Sequence, residues 1–436
     1  MRRSQLIAFL GCSFSFGIFS AFNSYTLTLW LAGFTSSYIL LSLLGNTRSF
    51  EGTLVAPVAG YWSDKVWLPW LGRRRPFILI GGLLSALLLA LTPAAAALPL
   101  PQMLGWLPSS VRGLAMAVLA IFLFTLTFNA MNDIHDALLV DITGESERNR
   151  IAALRVVVNT AGQVGILVLG FFIWRSNVPN SAFLVTGLLM AAGIITTVLF
   201  VHEPSPAVWA LERGAVVEAD RLTLRRAVNH YRGAALFCLV AFFYWTGLNA
   251  ITPLLSIYVK DILHATVGQS QLLPAMLLVS TTLFALPMAW LGNRYGKRLV
   301  MGFGYLVVAA AGIAGLVITT KEQAAIVFAL TGIGVAASQV LTIPLLADLV
   351  PRRNIGAATG ILAGSGSVAA PVASLLAGGL ADRFGPRIIF LFMSACVAIA
   401  FGLLPFVRRP ASKGNEPDAD LIDGVKESQP GAPPEL

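Results

Sequence analysis

Charge is scarce in this chain. Asp, Glu, Lys and Arg make up 12% of its 436 residues, against about 25% in a soluble domain. That scarcity excludes a soluble globular enzyme. Cysteine is scarce as well. The three present, Cys12, Cys238 and Cys396, all fall inside apolar runs, where they read as small core residues and not as a disulfide frame or a metal site. No phosphate-cradling loop, metal cluster or nucleophilic triad is present, and Gly72-Arg73-Arg74-Arg75 lacks the Gly-rich turn and Lys-Ser/Thr of a nucleotide site. The expectation is a protein without catalytic residues, cofactor or metal.

Apolar residues are abundant. They form 56% of the sequence and gather in runs of about 20, the length that crosses a hydrocarbon core. The runs are continuous and not alternating, which argues against a β-barrel. They fall at about 5–32, 36–61, 75–98, 113–140, 151–173 and 181–201, and resume at about 232–259, 270–292, 297–319, 324–349, 356–381 and 387–407. This predicts an all-α membrane protein of twelve transmembrane helices in two six-helix bundles, residues 1–201 and 232–407. Residues 202–231, polar and opened by Pro204 and Pro206, read as a cytoplasmic linker. Residues 408–436 hold Pro, Gly, Asp and Glu with little to bury and read as a disordered cytoplasmic tail. Met1-Arg2-Arg3 leads into an apolar stretch too long for the h-region of a cleaved signal, so the first helix is expected to stay.

The formal net charge is +9. Its Lys and Arg lie mostly in short loops, which is a topology signal and not a nucleic-acid footprint. With the N-terminus inside, interior loops hold Lys65, Arg73, Arg74, Arg75, Arg148, Arg150, Lys297 and Arg298 among others, while exterior loops hold few cations. Both termini are expected on the cytoplasmic side of the plasma membrane.

The halves repeat weakly. Asn23 has a counterpart in Asn249. Gly72-Arg73-Arg74 is echoed by Gly296-Lys297-Arg298, and Leu138–Asp141 with Arg148 by Leu345–Asp348 with Arg353. Duplicated halves with a site at their interface suit alternating access.

The segment Gly60-Tyr-Trp-Ser-Asp64-Lys65, followed by Gly72-Arg73-Arg74-Arg75-Pro76-Phe77-Ile78, resembles the signature loop of the major facilitator superfamily. The turn is lengthened by Val66–Leu71. In that longer form it is similar to the loop of the sucrose–proton symporter group. Ala137–Thr143 with Arg148-Asn-Arg resembles the fourth-to-fifth connection of that group. The resemblance implies the facilitator fold and a gating role for Asp64, Arg73, Arg74, Arg75, Asp141 and Arg148. Arg48 and Glu51 are not part of the group's pattern.

Three polar stripes fall inside spans, at spacings of three and four that put each on one helix face. They are Asn46, Arg48 and Glu51; Asn129, Asn132, Asp133 and Asp136 with His135 beside them; and Arg155, Asn159 and Gln163. A polar face in hydrocarbon must turn inward, so all three are expected to line the N-terminal side of a central cavity. Glu51, Asp133 and Asp136 are the candidate proton carriers, with Arg48 and Arg155 as partners. A carboxyl that gains and loses a guanidinium neighbour changes its affinity for a proton. Arg48 and Glu51 form the obvious local pair, and Arg155 is better placed for a carboxylate of the fourth helix. His135, off the aspartates' face, is expected to hydrogen-bond between helices. The C-terminal half is polar but nearly uncharged within its spans, with Asn249 and Gln339 as solute contacts and Tyr244, beside Trp245, as a stacking surface. Asn23, Asn129, Asn132, Asn159 and Gln163 complete the cavity set.

The function expected is proton-coupled symport of a small neutral solute, such as a disaccharide or glucoside, by a monomer in the lipid bilayer. Two alternatives remain at this point: a proton-antiporting exporter of an amphiphile or drug, and a non-transporting assembly factor of the same fold.

Overall fold

The computed structural model describes residues 3–98, 109–143, 145–174, 177–203, 232–350 and 355–407. The described residues are almost wholly helical. In chain order the long helices are α1 (Arg3–Leu31), α2 (Tyr38–Gly45, continued after Asn46 as Thr47–Lys65), α3 (Arg75–Ala97), α4 (Ser109–Ile142), α5 (Glu145–Ile173) and α6 (Asn180–Phe200). The second half supplies α7 (Arg232–Ile262), α8 (Val267–Tyr295), α9 (Lys297–Val317), α10 (Lys321–Ala347), α11 (Ile355–Phe384) and α12 (Ile388–Leu403). Among the described residues, eleven helices are long and apolar enough to cross a membrane. The twelfth apolar run, α2, falls short because Asn46 divides it and Arg48 and Glu51 occupy its second part. The helices around the charged turns outrun the apolar stretches. α4 and α5 continue to Asp141 and start at Glu145, past the hydrocarbon and into polar ends.

Each half packs as its own bundle. In the first, α1 lies on α5 and α6, α3 lies on α4 and α6, and α2 lies on α4. In the second, α7 lies on α11 and α12, and α9 lies on α10 and α12, while α8 lies on α10. Lipid offers no hydrophobic drive for helix association, so close backbone approach must supply it. Gly17 and Gly162 do this where α1 crosses α5. A Cβ at Gly17 would sit 1.9 Å from the Asn159 carbonyl oxygen, and one at Gly162 2.1 Å from that of Phe14.

The sequence repeat is visible in the backbone. Gly72 and Gly296 end the α2–α3 and α8–α9 turns with φ of +79° and +99°, a region that glycine enters without penalty. The first helix of each half is irregular at the same level, α1 with a π-helical Phe22–Thr26 and α7 with a 3₁₀ turn at Thr252–Leu254. α8 and α10 both start with a capping box, Thr266 with Gln269 and Thr320 with Gln323.

The halves meet along α2–α11 and α5–α8, contacts that exchange when helix numbers are shifted by six. Among the described residues they are tight at one end only. There, Asp382 at the end of α11 accepts from the Tyr38 backbone N–H (2.6 Å) and the Ser37 hydroxyl (3.0 Å), which fastens the start of α2. A Cβ at Gly378 would lie 2.7 Å from Ile39 Cα, and one at Gly268 2.6 Å from the Trp174 carbonyl oxygen. Towards the other end of α11, Gly360 and Gly364 face open space, with nothing within 4 Å. The molecule is thus closed at the end with Asp382 and Gly268, and open at the end with the Gly72 and Gly296 turns.

Candidate functional site

At mid-depth, between the halves, lies a cavity of about 490 Å³. α1 contributes Ser20, Asn23, Ser24 and Tyr25 through its π-helical turn; α2 contributes Asn46, Arg48 and Ser49 just past its break. Asn132 comes from α4, and Arg155, Asn159, Thr160 and Gln163 from α5. The second half supplies Trp245, Asn249, Thr252 and Gln339. Irregular turns in α1, α2 and α7 leave polar groups at membrane depth, which is tolerated only where they line a cavity.

The amides are held in place. Asn159 Nδ2 donates to the Ser13 carbonyl (3.0 Å), and Gln163 Nε2 to Asn159 Oδ1 (2.9 Å). Asn23 Nδ2 reaches the Gly45 carbonyl (3.4 Å). Asn46 Nδ2 bridges the halves, donating to the Asn249 carbonyl and the Ser374 hydroxyl, both at 2.9 Å. The buried hydroxyl of Thr26 donates to Gln271 Oε1 at 2.8 Å, a second link between the halves.

Behind this wall lies the charge. Arg155 of α5 forms an ion pair with Asp136 of α4, as the sequence led us to expect. The Asp136 side chain is 42% exposed. Arg48 lies over the Phe128 ring and in the field of both Asp133 and Asp136. Asp133 Oδ2 is buried without a hydrogen-bond partner among the described residues. Two guanidinium groups therefore line the cavity, and two carboxyls stand one layer back.

Several expectations need correction. Arg48 and Glu51 do not pair. Residues three apart are offset by about 60° round a helix, and Glu51 turns to the α4 side, where it is buried beside Thr125. Asn129 does not line the cavity; its Nδ2 donates to the Arg48 carbonyl (3.0 Å) and fastens α4 to α2. Tyr244 is fully buried and stacks on Tyr305, with ring centroids 4.8 Å apart. The neighbouring Trp245 faces the cavity instead. Nor does His135 hydrogen-bond between helices. It is buried, stacked on Phe9 at 4.4 Å and edge-on to Phe16, with neither ring nitrogen partnered among the described residues. Serines and threonines at the cavity, such as Ser20, Ser24, Ser49 and Thr160, escaped notice. The signal for the first two was their spacing with Asn23 on one face of α1.

The basic turn at the open end is locked within the first half. Arg73 Nη2 and Arg74 Nε both bond Asp141 Oδ2, at 2.6 and 3.1 Å. Glu203, just past α6, accepts from the backbone N–H groups of Arg73, Arg74 and Arg75, each at 2.9 Å. A carboxylate on the free N–H groups of a helix start is favoured by both hydrogen bonding and the helix dipole. Glu203 was not among the expected residues, because it lies in a polar stretch that read only as linker. Arg75 Nη1 donates to the Val201 carbonyl (2.7 Å). The second half repeats the device: Lys297 Nζ bonds Asp348 Oδ2 (2.8 Å) and the Pro344 carbonyl (3.1 Å). The side chains of Asp64 and Arg148 lie outside what the structure describes. The same holds for the rest of the linker and for the tail.

Residues 237–432 match the family model described as Major Facilitator Superfamily. The match covers the second half only, 196 of the 436 residues. The major facilitator architecture is shared with solved structures across nearly the whole chain. The nucleoside transporter NupG is 12% identical and superposes with a TM-score of 0.71 over 93% of this chain and 99% of its own. A D-xylose-proton symporter is 17% identical, with a TM-score of 0.71 over 94% and 98%. A bacterial homologue of the iron transporter ferroportin, in an inward-facing state, is 14% identical, with a TM-score of 0.69 over 93% and 98%. No curated protein matches the chain in sequence. At these identities the likeness establishes the facilitator fold and says nothing about the solute.

Proposed function

We propose that this protein is a proton-coupled symporter of a small neutral polar solute, with a disaccharide or glucoside as the favoured class. The observation that carries this reading is the cavity between the halves, lined by amides and hydroxyls from both, with Arg48 and Arg155 in its wall and Asp133 and Asp136 behind them. Its 490 Å³ falls in the range of about 300–1,000 Å³ typical of small-molecule sites. Neutral amides and hydroxyls are suited to bonding sugar hydroxyls, and Trp245 offers a ring face for stacking.

The charges supply the coupling. Glu51, Asp133 and Asp136 are three carboxyls against two guanidiniums, Arg48 and Arg155. Fully ionised, the cluster carries one uncompensated negative charge in a low-dielectric bundle, which one bound proton removes. In the open form the Asp136 side chain is partly exposed. Rocking the halves about the cavity closes the cluster to one compartment and opens it to the other, so proton and solute cross together. The loops favour a cytoplasmic open end, because Lys65, Arg73–Arg75 and Lys297 all lie there. Both termini then face the cytoplasm in the plasma membrane, and the protein works as a monomer.

The reading is tested by uptake of radiolabelled sucrose and glucosides into proteoliposomes with and without an inward proton gradient. Gradient-dependent accumulation supports it. Accumulation driven by an outward solute–proton exchange supports the exporter alternative, and no flux of any solute supports the assembly factor.

A further inference from the structure

The polar cavity has an apolar annexe. A second, more enclosed space of about 140 Å³ opens from it into the C-terminal half. The two share Tyr25, Trp245, Asn249, Thr252 and Gln339 as a common rim. Beyond that rim the annexe is walled by Leu248, Leu277, Ala311, Phe328, Val335 and Phe390, contributed by α7 to α10 and α12. Beyond the rim the lining is apolar except for Thr331, whose hydroxyl donates to the Val327 carbonyl of its own helix (2.7 Å).

Resting on the symport reading above, we propose that the solute is bipartite. Its hydroxyl-rich part lies among the amides of the main cavity, and one compact apolar group, about the size of a single aromatic ring, enters the annexe past Trp245. An apolar cavity of about 150 Å³ is the size that takes up one benzene ring, so the annexe matches a phenyl group and is too small for a second sugar ring. A sugar ring placed there would also leave its hydroxyls unpaired against Phe328 and Phe390, which is costly. The geometry thus selects a glycoside with an aromatic or short alkyl aglycone over a disaccharide. Trp245, Gln339 and Tyr25 are the residues that separate the two parts.

The test compares binding of methyl β-glucoside, phenyl β-glucoside and sucrose to the full-length protein in detergent, read by tryptophan fluorescence and by thermal shift. Phenyl glucoside is expected to bind roughly tenfold or more tighter than methyl glucoside. Ala311→Leu and Val335→Leu narrow the annexe from two different helices, and each is expected to remove that advantage while leaving methyl glucoside affinity unchanged. Equal affinity of the two glucosides for the unaltered protein overturns the proposal without needing either variant to fold. So does an advantage that survives both substitutions. Binding of methyl glucoside and sucrose with no gain from the phenyl group overturns this inference alone, whereas binding of no sugar at all overturns the symport reading with it.

Discussion

Asn46, at the break in α2, donates from one amide nitrogen to the Asn249 carbonyl and the Ser374 hydroxyl, both 2.9 Å away in the opposite half. The break explains how it gets there. Asn46 ends Tyr38–Gly45 and begins Thr47–Lys65, so its side chain projects from a turn and not from a helix flank. Both bonds must part if the halves rock open at this end.

Removing them shifts the balance between states. Neutral hydrogen bonds contribute about 1 kcal/mol each, so Asn46→Ala is expected to cost the closed form on the order of 1–2 kcal/mol, roughly 5- to 30-fold in population. Spin labels on the two halves at the Asp382 end will report this as a longer distance distribution. An unchanged distribution would mean that the contact does not hold the halves together.

Gly268 lies where α8 meets the end of α5. A Cβ there would come 2.6 Å from the Trp174 carbonyl oxygen and 2.7 Å from that of Phe171. Backbone oxygens cannot step aside as a flexible side chain would, so Gly268→Leu is expected to wedge this end apart. The prediction is lost cross-linking between cysteines placed on α5 and α8 at that level, with expression retained. Cross-linking at the unaltered rate would contradict it.

Glu203 takes three consecutive backbone N–H groups at the start of α3. Glu203→Ala strips the cap from that helix and is expected to lower stability by about 1–3 kcal/mol, read as a drop in thermal melting temperature in detergent. Glu203→Gln keeps one acceptor oxygen and is expected to cost less. Equal melting temperatures for all three proteins would show that the cap is dispensable.

The pair of Asp136 with Arg155 bears on coupling. Asp136→Asn is expected to abolish accumulation driven by a proton gradient while solute exchange persists, and Asp133→Asn to act the same way. Arg155→Gln leaves Asp136 without its partner and is expected to impair transport more than it impairs folding. Matched flux and melting measurements will separate the two effects.

Much of this was legible in the sequence. Twelve runs of about 20 apolar residues fix the helix number because the hydrocarbon fixes the length, and the Gly72 and Gly296 turns advertise the repeat. The pair Arg155–Asp136 was readable because α4 and α5 join through a short connection and both carry a polar stripe. Rotational phase was not readable. It decides that Trp245 and not Tyr244 meets the cavity, and that Glu51 turns from Arg48 to α4. A three-residue spacing leaves about 60° of freedom, and only the neighbouring helices settle which group each side chain meets. Glu203 was hidden for a different reason: its partners are backbone N–H groups, which no sequence pattern displays.

The central claim is that solute and proton cross together through the cavity between the halves. It is tested most directly by adding solute to proteoliposomes loaded with a pH-sensitive dye, with no gradient imposed. Solute entry should acidify the lumen in the unaltered protein and leave it unchanged with Asp136→Asn, although labelled solute still exchanges. Solute entry without any proton movement in the unaltered protein would contradict the account.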